Sequence, residues 1–139
     1  MDIRMQLSHI MISEGNEAQV IVLKEKEGER SFPILIGIFE AVAIDRKVKN
    51  LQVPRPLTHD LLLNVIKSMG GRLERVVVTD LRENTFFAKL VIETEGGTIE
   101  VDSRPSDAIA LAMHDNTPIY VAEHVLDQVL PSQGGETGS

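Results

Sequence analysis

Ser31-Phe32-Pro33-Ile34-Leu35-Ile36-Gly37-Ile38-Phe39-Glu40-Ala41-Val42-Ala43-Ile44 changes its hydrophobic period in the middle. Up to Ile36 it reads as a strand. Beyond Gly37 the apolar residues Ala41, Ile44 and Val48 fall at i, i+3 and i+7, one face of a helix whose other face carries Asp45, Arg46, Lys47 and Lys49. The chain therefore turns from strand to helix at Gly37. A matching passage lies in the second half: Ile99-Glu100-Val101 overlays Phe32-Pro33-Ile34, and Asp107-Ala108-Ile109-Ala110-Leu111 overlays Glu40-Ala41-Val42-Ala43-Ile44 in the same register. With a short insertion allowed around Gln52, Pro118-Ile119 meets Pro56-Leu57. The pattern predicts two β-β-β-α(-α) repeats, about 3–70 and 71–130, sharing one core.

Working outward, strands are predicted at Met5 to Ser13, closed by Gly15-Asn16, and at Ala18 to Lys24, before the turn Glu25 to Arg30. Val53-Pro54-Arg55-Pro56 cannot continue the first helix. A second helix follows, with Thr58 as N-cap, Leu61, Leu62, Val65, Ile66 and Met69 as its apolar stripe, and Gly70-Gly71 as its stop. The second half offers strands at Leu73 to Asp80, Phe86 to Glu93 and Thr98 to Asp102. Helices are expected at about Pro105 to His114, capped by Ser103 or Ser106, and at about Ala122 to Leu130. The class is α+β with a mainly antiparallel sheet in one domain, 1–131, and residues 132–139, which lack apolar side chains, read as a disordered tail.

Composition narrows the chemistry. At 139 residues the chain can bury about two thirds of its unfolded surface, so the fold needs neither disulfide nor structural metal. Cysteine is absent, which removes thiol catalysis, iron–sulfur clusters and thiolate zinc. The longest mainly apolar stretch, 34–39, is far below the roughly 20 residues of a membrane span. The N-terminus lacks a basic start and an apolar segment, so the expected location is the cytoplasm. A net charge of −7 and 4% aromatic residues argue against broad nucleic-acid binding through phosphates or a stacking platform.

Three phrases occur in order: Pro33-Ile34-Leu35-Ile36-Gly37 followed by Glu40-Ala41; Arg55-Pro56-Leu57-Thr58-His59-Asp60-Leu61-Leu62; and Asp102-Ser103-Arg104-Pro105-Ser106-Asp107-Ala108-Ile109-Ala110-Leu111-Ala112. Val76-Val77-Val78-Thr79-Asp80-Leu81 lies between the second and third. Together they resemble the bifunctional nuclease domain family, named after plant members described as cleaving both RNA and DNA. The resemblance covers roughly residues 1–130. It implies an α+β domain of two β3-α repeats, association into homo-oligomers, most simply a dimer, and hydrolysis of RNA and DNA.

Phosphodiester hydrolysis without cysteine requires a metal held by carboxylates or a histidine acid/base with a cation at the phosphate. Glu40, Asp102 and Asp107 are candidate Mg²⁺ or Mn²⁺ ligands; Glu40 and Asp107 open matching helices and could converge about a pseudo-twofold. Acids in a first helical turn also have a structural use, since they complement the helix dipole. At the second helix entrance, Arg55 and Thr58 could bind phosphate while His59 and Asp60 transfer a proton. Arg104 and Ser106 form the matching entrance, so the two arginine-bearing corners are expected to be neighbours and make a shared anion pocket. Thr58 and Ser106 also serve as simple caps, and Asp60 as a dipole partner. His9, His114 and His124 carry no catalytic spacing; His114 is read as a cation closing a helix. Two functions stay open: a nuclease, favoured by a contiguous positive groove, and a non-catalytic homo-oligomeric module binding a small anionic ligand or a protein partner, favoured by a small closed pocket.

Overall fold

The computed structural model describes residues 1–13, 15 and 18–130; the tail expected at 132–139 and the break at Asn16 lie outside the described residues. The elements are β1 (Asp2–Met11), β2 (Ala18–Glu25), β3 (Ser31–Gly37), α1 (Ile38–Val48), α2 (Thr58–Ser68), β4 (Arg72–Arg82), β5 (Thr85–Thr94), β6 (Gly97–Ser103), α3 (Pro105–Asp115), β7 (Ile119–Ala122) and α4 (Glu123–Val129). They form a mixed α/β domain around a seven-stranded, mostly antiparallel sheet of order β3-β2-β1-β7-β4-β5-β6. None of the described helices is long and apolar enough to cross a membrane.

Each half begins with an antiparallel meander, and the strand-to-helix turn at Gly37 falls where the period changes. The β4–β5 hairpin turns at Glu83-Asn84, both at positive φ (51° and 63°), the conformation a two-residue turn needs to match strand twist. The meanders lie on opposite sides of β7, which pairs antiparallel with β1 and parallel with β4. β7 is a strand that the sequence reading did not include: that reading overlaid Pro118-Ile119 on Pro56-Leu57 and gave no strand there. Four residues straight after a helix are too few to show a period, and this strand is set by its neighbours: Ile119, Val121 and Ala122 are buried between the two meanders. The halves therefore differ after their first helix, α1 being followed by α2 and α3 by β7 and then α4.

α3 is the central helix, packed against α1, α2, β4 and β5. Its Ile109, Ala110 and Leu111 are almost wholly buried with Ala41 and Ile44 of α1. Each large side chain buried in this way contributes about 1.5–3 kcal/mol relative to exposure. Pro105 occupies its first turn, where no N–H is missed, and Asn116 closes it in the left-handed region at φ 56°.

Three further expectations need correcting. The stripe assigned to α2 does not face the core: Leu63 is the buried residue, Ile66 packs partly against the core, and Leu61, Leu62, Val65 and Met69 are exposed. Val48 likewise stands half in solvent at the end of α1. Nor do the expected residues cap the helices. Leu57 precedes α2, with its N–H donated to Asp60 Oδ2 at 3.1 Å, so Thr58 is already helical. Arg104 precedes α3, while Ser103 Oγ donates to Arg104 O at 2.8 Å and Ser106 lies buried in the first turn.

Candidate functional site

The N-terminal turns of α1, α2 and α3 meet. Asp107, in the first turn of α3, places Oδ1 3.0 Å from His59 Nε2 of α2. Its Oδ2 accepts from Arg104 Nε at 2.9 Å and lies 2.8 Å from Arg104 Nη2. That Nη2 also donates to Glu40 Oε2 of α1 at 3.1 Å, so one carboxylate and one guanidinium tie three helices together. Hydrogen bonding to Asp107, and then the charges of Asp107 and Glu40, hold the Arg104 guanidinium protonated more firmly than a free arginine. Its side chain is 67% exposed. Water screens such a pair to about 0–1 kcal/mol, so the network positions groups more than it stabilises the fold.

His59 is largely enclosed, its side chain 13% exposed. With Nε2 directed at Asp107, Nδ1 is the nitrogen left to accept a proton, the arrangement in which a carboxylate orients an imidazole base. A second histidine–carboxylate pair sits behind it. His114 Nε2 is 3.5 Å from Asp60 Oδ1, His114 Nδ1 is 2.8 Å from Ala110 O, and the two imidazole centroids are 6.0 Å apart. His114 was read only as a helix-closing cation. The signal that finds it is spacing: Asp107, Leu111 and His114 stand at i, i+4 and i+7 on one face of α3.

These groups border a groove of about 950 Å³ between α1 and α2 that reaches the edge strand β6. Phe39, Val42, Ala43 and Arg46 of α1 line one side, again at helical spacing, with Leu62 and Ile66 of α2 and Leu90, Ile92 and Val101 of the sheet completing it. The lining holds Arg46 and Arg104 against Glu40, Asp102 and Asp107, so this is an apolar groove with a charged rim and not a contiguous positive channel.

Of the residues named from sequence, the structure gathers Glu40, Thr58, His59, Asp102, Arg104 and Asp107 around the groove. Asp60 lies just behind, facing His114. Ser106 is buried under the α3 entrance beside a separate surface depression. Arg55 is exposed and lines neither the groove nor the cavity behind it, so the expected pairing of two arginine corners does not form. The first-half residue that meets Arg104 is Glu40, in the first turn of α1, whereas Arg55 belongs to the connection after α1. The three acids named for a metal are not gathered as a ligand set: a guanidinium joins Glu40 to Asp107, and no group of three acids or histidines converges for a cation among the described residues.

A model of the bifunctional nuclease domain matches residues 21–132. An uncharacterised protein of Mycobacterium tuberculosis (strain H37Rv) is 39% identical over 130 residues, 91% of this chain and 77% of its own length. Bifunctional nuclease 1 of Arabidopsis thaliana is 30% identical over 109 residues, 76% of this chain and 34% of its own. Bifunctional nuclease 1 of Oryza sativa subsp. japonica is 27% identical over 109 residues, 76% of this chain and 33% of its own. This chain thus spans about a third of the plant relatives' length.

Proposed function

The chain belongs to the bifunctional nuclease domain family, and from that premise we propose that it hydrolyses phosphodiester bonds of RNA and DNA with His59 as general base. The groove is not the contiguous positive channel expected of a nuclease, so the reading rests on the family and on the Asp107–His59 pair at the groove rim, with Arg104 held beside it. Asp107 fixes the imidazole, and His59 Nδ1 takes a proton from water as that water's oxygen bonds to phosphorus. The phosphorus–oxygen bond to the leaving sugar breaks, and its oxygen takes a proton from solvent at the open mouth of the groove. Arg104 Nη1, which makes no ion pair among the described residues, faces the charge that develops on the phosphoryl oxygens. A positioned base of this kind contributes about 10²–10⁴-fold.

The test is cleavage of RNA and single-stranded DNA by highly purified protein, run with Mg²⁺, with Mn²⁺ and with chelator, beside His59→Ala. Turnover that falls at least about a hundredfold in the variant supports the assignment. Turnover equal in both proteins points to a contaminating nuclease and removes it.

A second reading has its own observation. Phe39 is 83% and Met69 80% exposed, and Leu57, Leu61, Leu62, Val65 and Val101 add to the same apolar helix-and-edge region. Apolar residues that dense suit association. In this reading the chain is a non-catalytic module that dimerises or docks a protein partner, and the polar rim binds a small anion.

A further inference from the structure

A second cavity, about 180 Å³, lies between the end of α1, the segment after it and the facing parts of α2 and α3. Arg46 and Leu57 line both this cavity and the groove, so the two are neighbours. Its other polar walls are Lys47, Asn50, Gln52, Asp60 and His114.

The charge balance here is the reverse of the groove's. Arg46 and Lys47 are half-buried, and neither side chain has a hydrogen-bond or ion-pair partner among the described residues. The one carboxylate in the lining, Asp60, is already engaged by the Leu57 N–H and His114. Both cations stand in the last turn of α1, where the helix dipole offers a partial negative charge but no carboxylate that they hydrogen-bond, and a bound anion would supply that partner. Arg104, by contrast, is answered by two carboxylates.

We infer that this cavity is a phosphate subsite in which Arg46 and Lys47 hold the anion. Its volume, about 180 Å³, accommodates a phosphate group with some water. The cations that line it select a terminal or free phosphate, with the rest of any nucleotide extending past Arg46 into the apolar groove. Arginine suits this task, since its planar fork grips two phosphate oxygens at once. Assigning the phosphate to nucleic acid or a mononucleotide rests on the nuclease reading, whereas the subsite itself rests on the unanswered cations.

Isothermal titration of the full chain at constant ionic strength tests it, using inorganic phosphate, a 5′-mononucleotide and the matching nucleoside. We expect saturable binding of phosphate and mononucleotide but not of nucleoside, weakened at least about tenfold by Arg46→Ala, less by Arg46→Lys, and unchanged by Arg72→Ala, an exposed arginine elsewhere. Circular dichroism checks that each variant is folded. Tighter binding of mononucleotide than of phosphate identifies a nucleotide source, and equal binding identifies free phosphate. Absence of saturable phosphate binding, or binding that folded Arg46→Ala and Lys47→Ala both retain, overturns the subsite. Phosphate binding that depends on Arg46 in a protein unable to cleave RNA or DNA leaves the subsite standing and removes the nuclease reading; cleavage without such binding does the opposite.

Discussion

Replacing Asp107 with Asn separates catalysis from stability, because the side chain keeps its shape and loses only its charge. The structural cost is small. Asp107 sits in the first turn of α3, where the helix dipole is worth about 0.3–1 kcal/mol to a carboxylate. Its partner Arg104 is mostly solvated, so that pair adds about 0–1 kcal/mol. The sum, about 1 kcal/mol, lowers the melting temperature by about 3–4 °C in a domain of this size. The cost to chemistry is larger. An amide NH₂ facing His59 turns Nε2 into the acceptor and moves the proton to Nδ1, so the nitrogen proposed to take a proton from water no longer accepts one. We expect kcat to fall about 10²–10⁴-fold. Single-turnover cleavage of a short labelled RNA, normalised to the folded fraction from a thermal melt, measures both quantities on one preparation. A kcat within about threefold of the parent, in a protein that has lost the expected stability, refutes a catalytic role for the dyad.

Truncating Leu126→Ala, wholly buried on α4, removes core contact and should cost about 2–5 kcal/mol in urea denaturation, with catalysis per folded molecule unchanged. Glu25 accepts from the Arg30 N–H at 3.1 Å, from Nε at 3.0 Å and from Nη2 at 2.7 Å, and these bonds hold its carboxyl below the usual carboxylate range. A lowered carboxyl contributes stability that is present above about pH 4.3 and lost as pH falls through its folded value. Glu25→Gln should therefore be about 1 kcal/mol less stable at pH 7, with the difference closing in acid; a difference independent of pH contradicts the pairing. Asn116 ends α3 at φ 56°, so Asn116→Val should lower stability by about 1–2 kcal/mol and Asn116→Gly should not, as thermal melts will show. If copies associate through the exposed apolar region, Phe39→Asp should shift light-scattering mass toward the monomer; an unchanged mass rejects that region as the interface.

How much of this was legible in sequence follows from the range of each interaction. The turn at Gly37, the meanders and the α3 start at Pro105 are local, governed by side-chain period and backbone restriction, and the residues state them directly. The α2 stripe misled because helical spacing reports an apolar face without saying what covers it: Leu63 found the core while Leu61 and Met69 found solvent. The overlay set Glu40 opposite Asp107, and in the structure both acids stand in the first turn of a helix and bond the same guanidinium. It could not show that Arg104 lies between them.

Sequence by itself therefore determined the α+β class, the strand-to-helix corners and the residue types capable of acid/base chemistry. Tertiary structure alone decided that β7 joins the two meanders, that His59 meets Asp107 48 positions away, and that Arg46 lines the groove and the cavity behind it while Arg55 lines neither. The physical reason is that periodicity and capping act within a few residues along the chain. Which helix starts converge, and which charges are left without a partner, depends on packing between segments remote in sequence, and chain order carries no direct record of that.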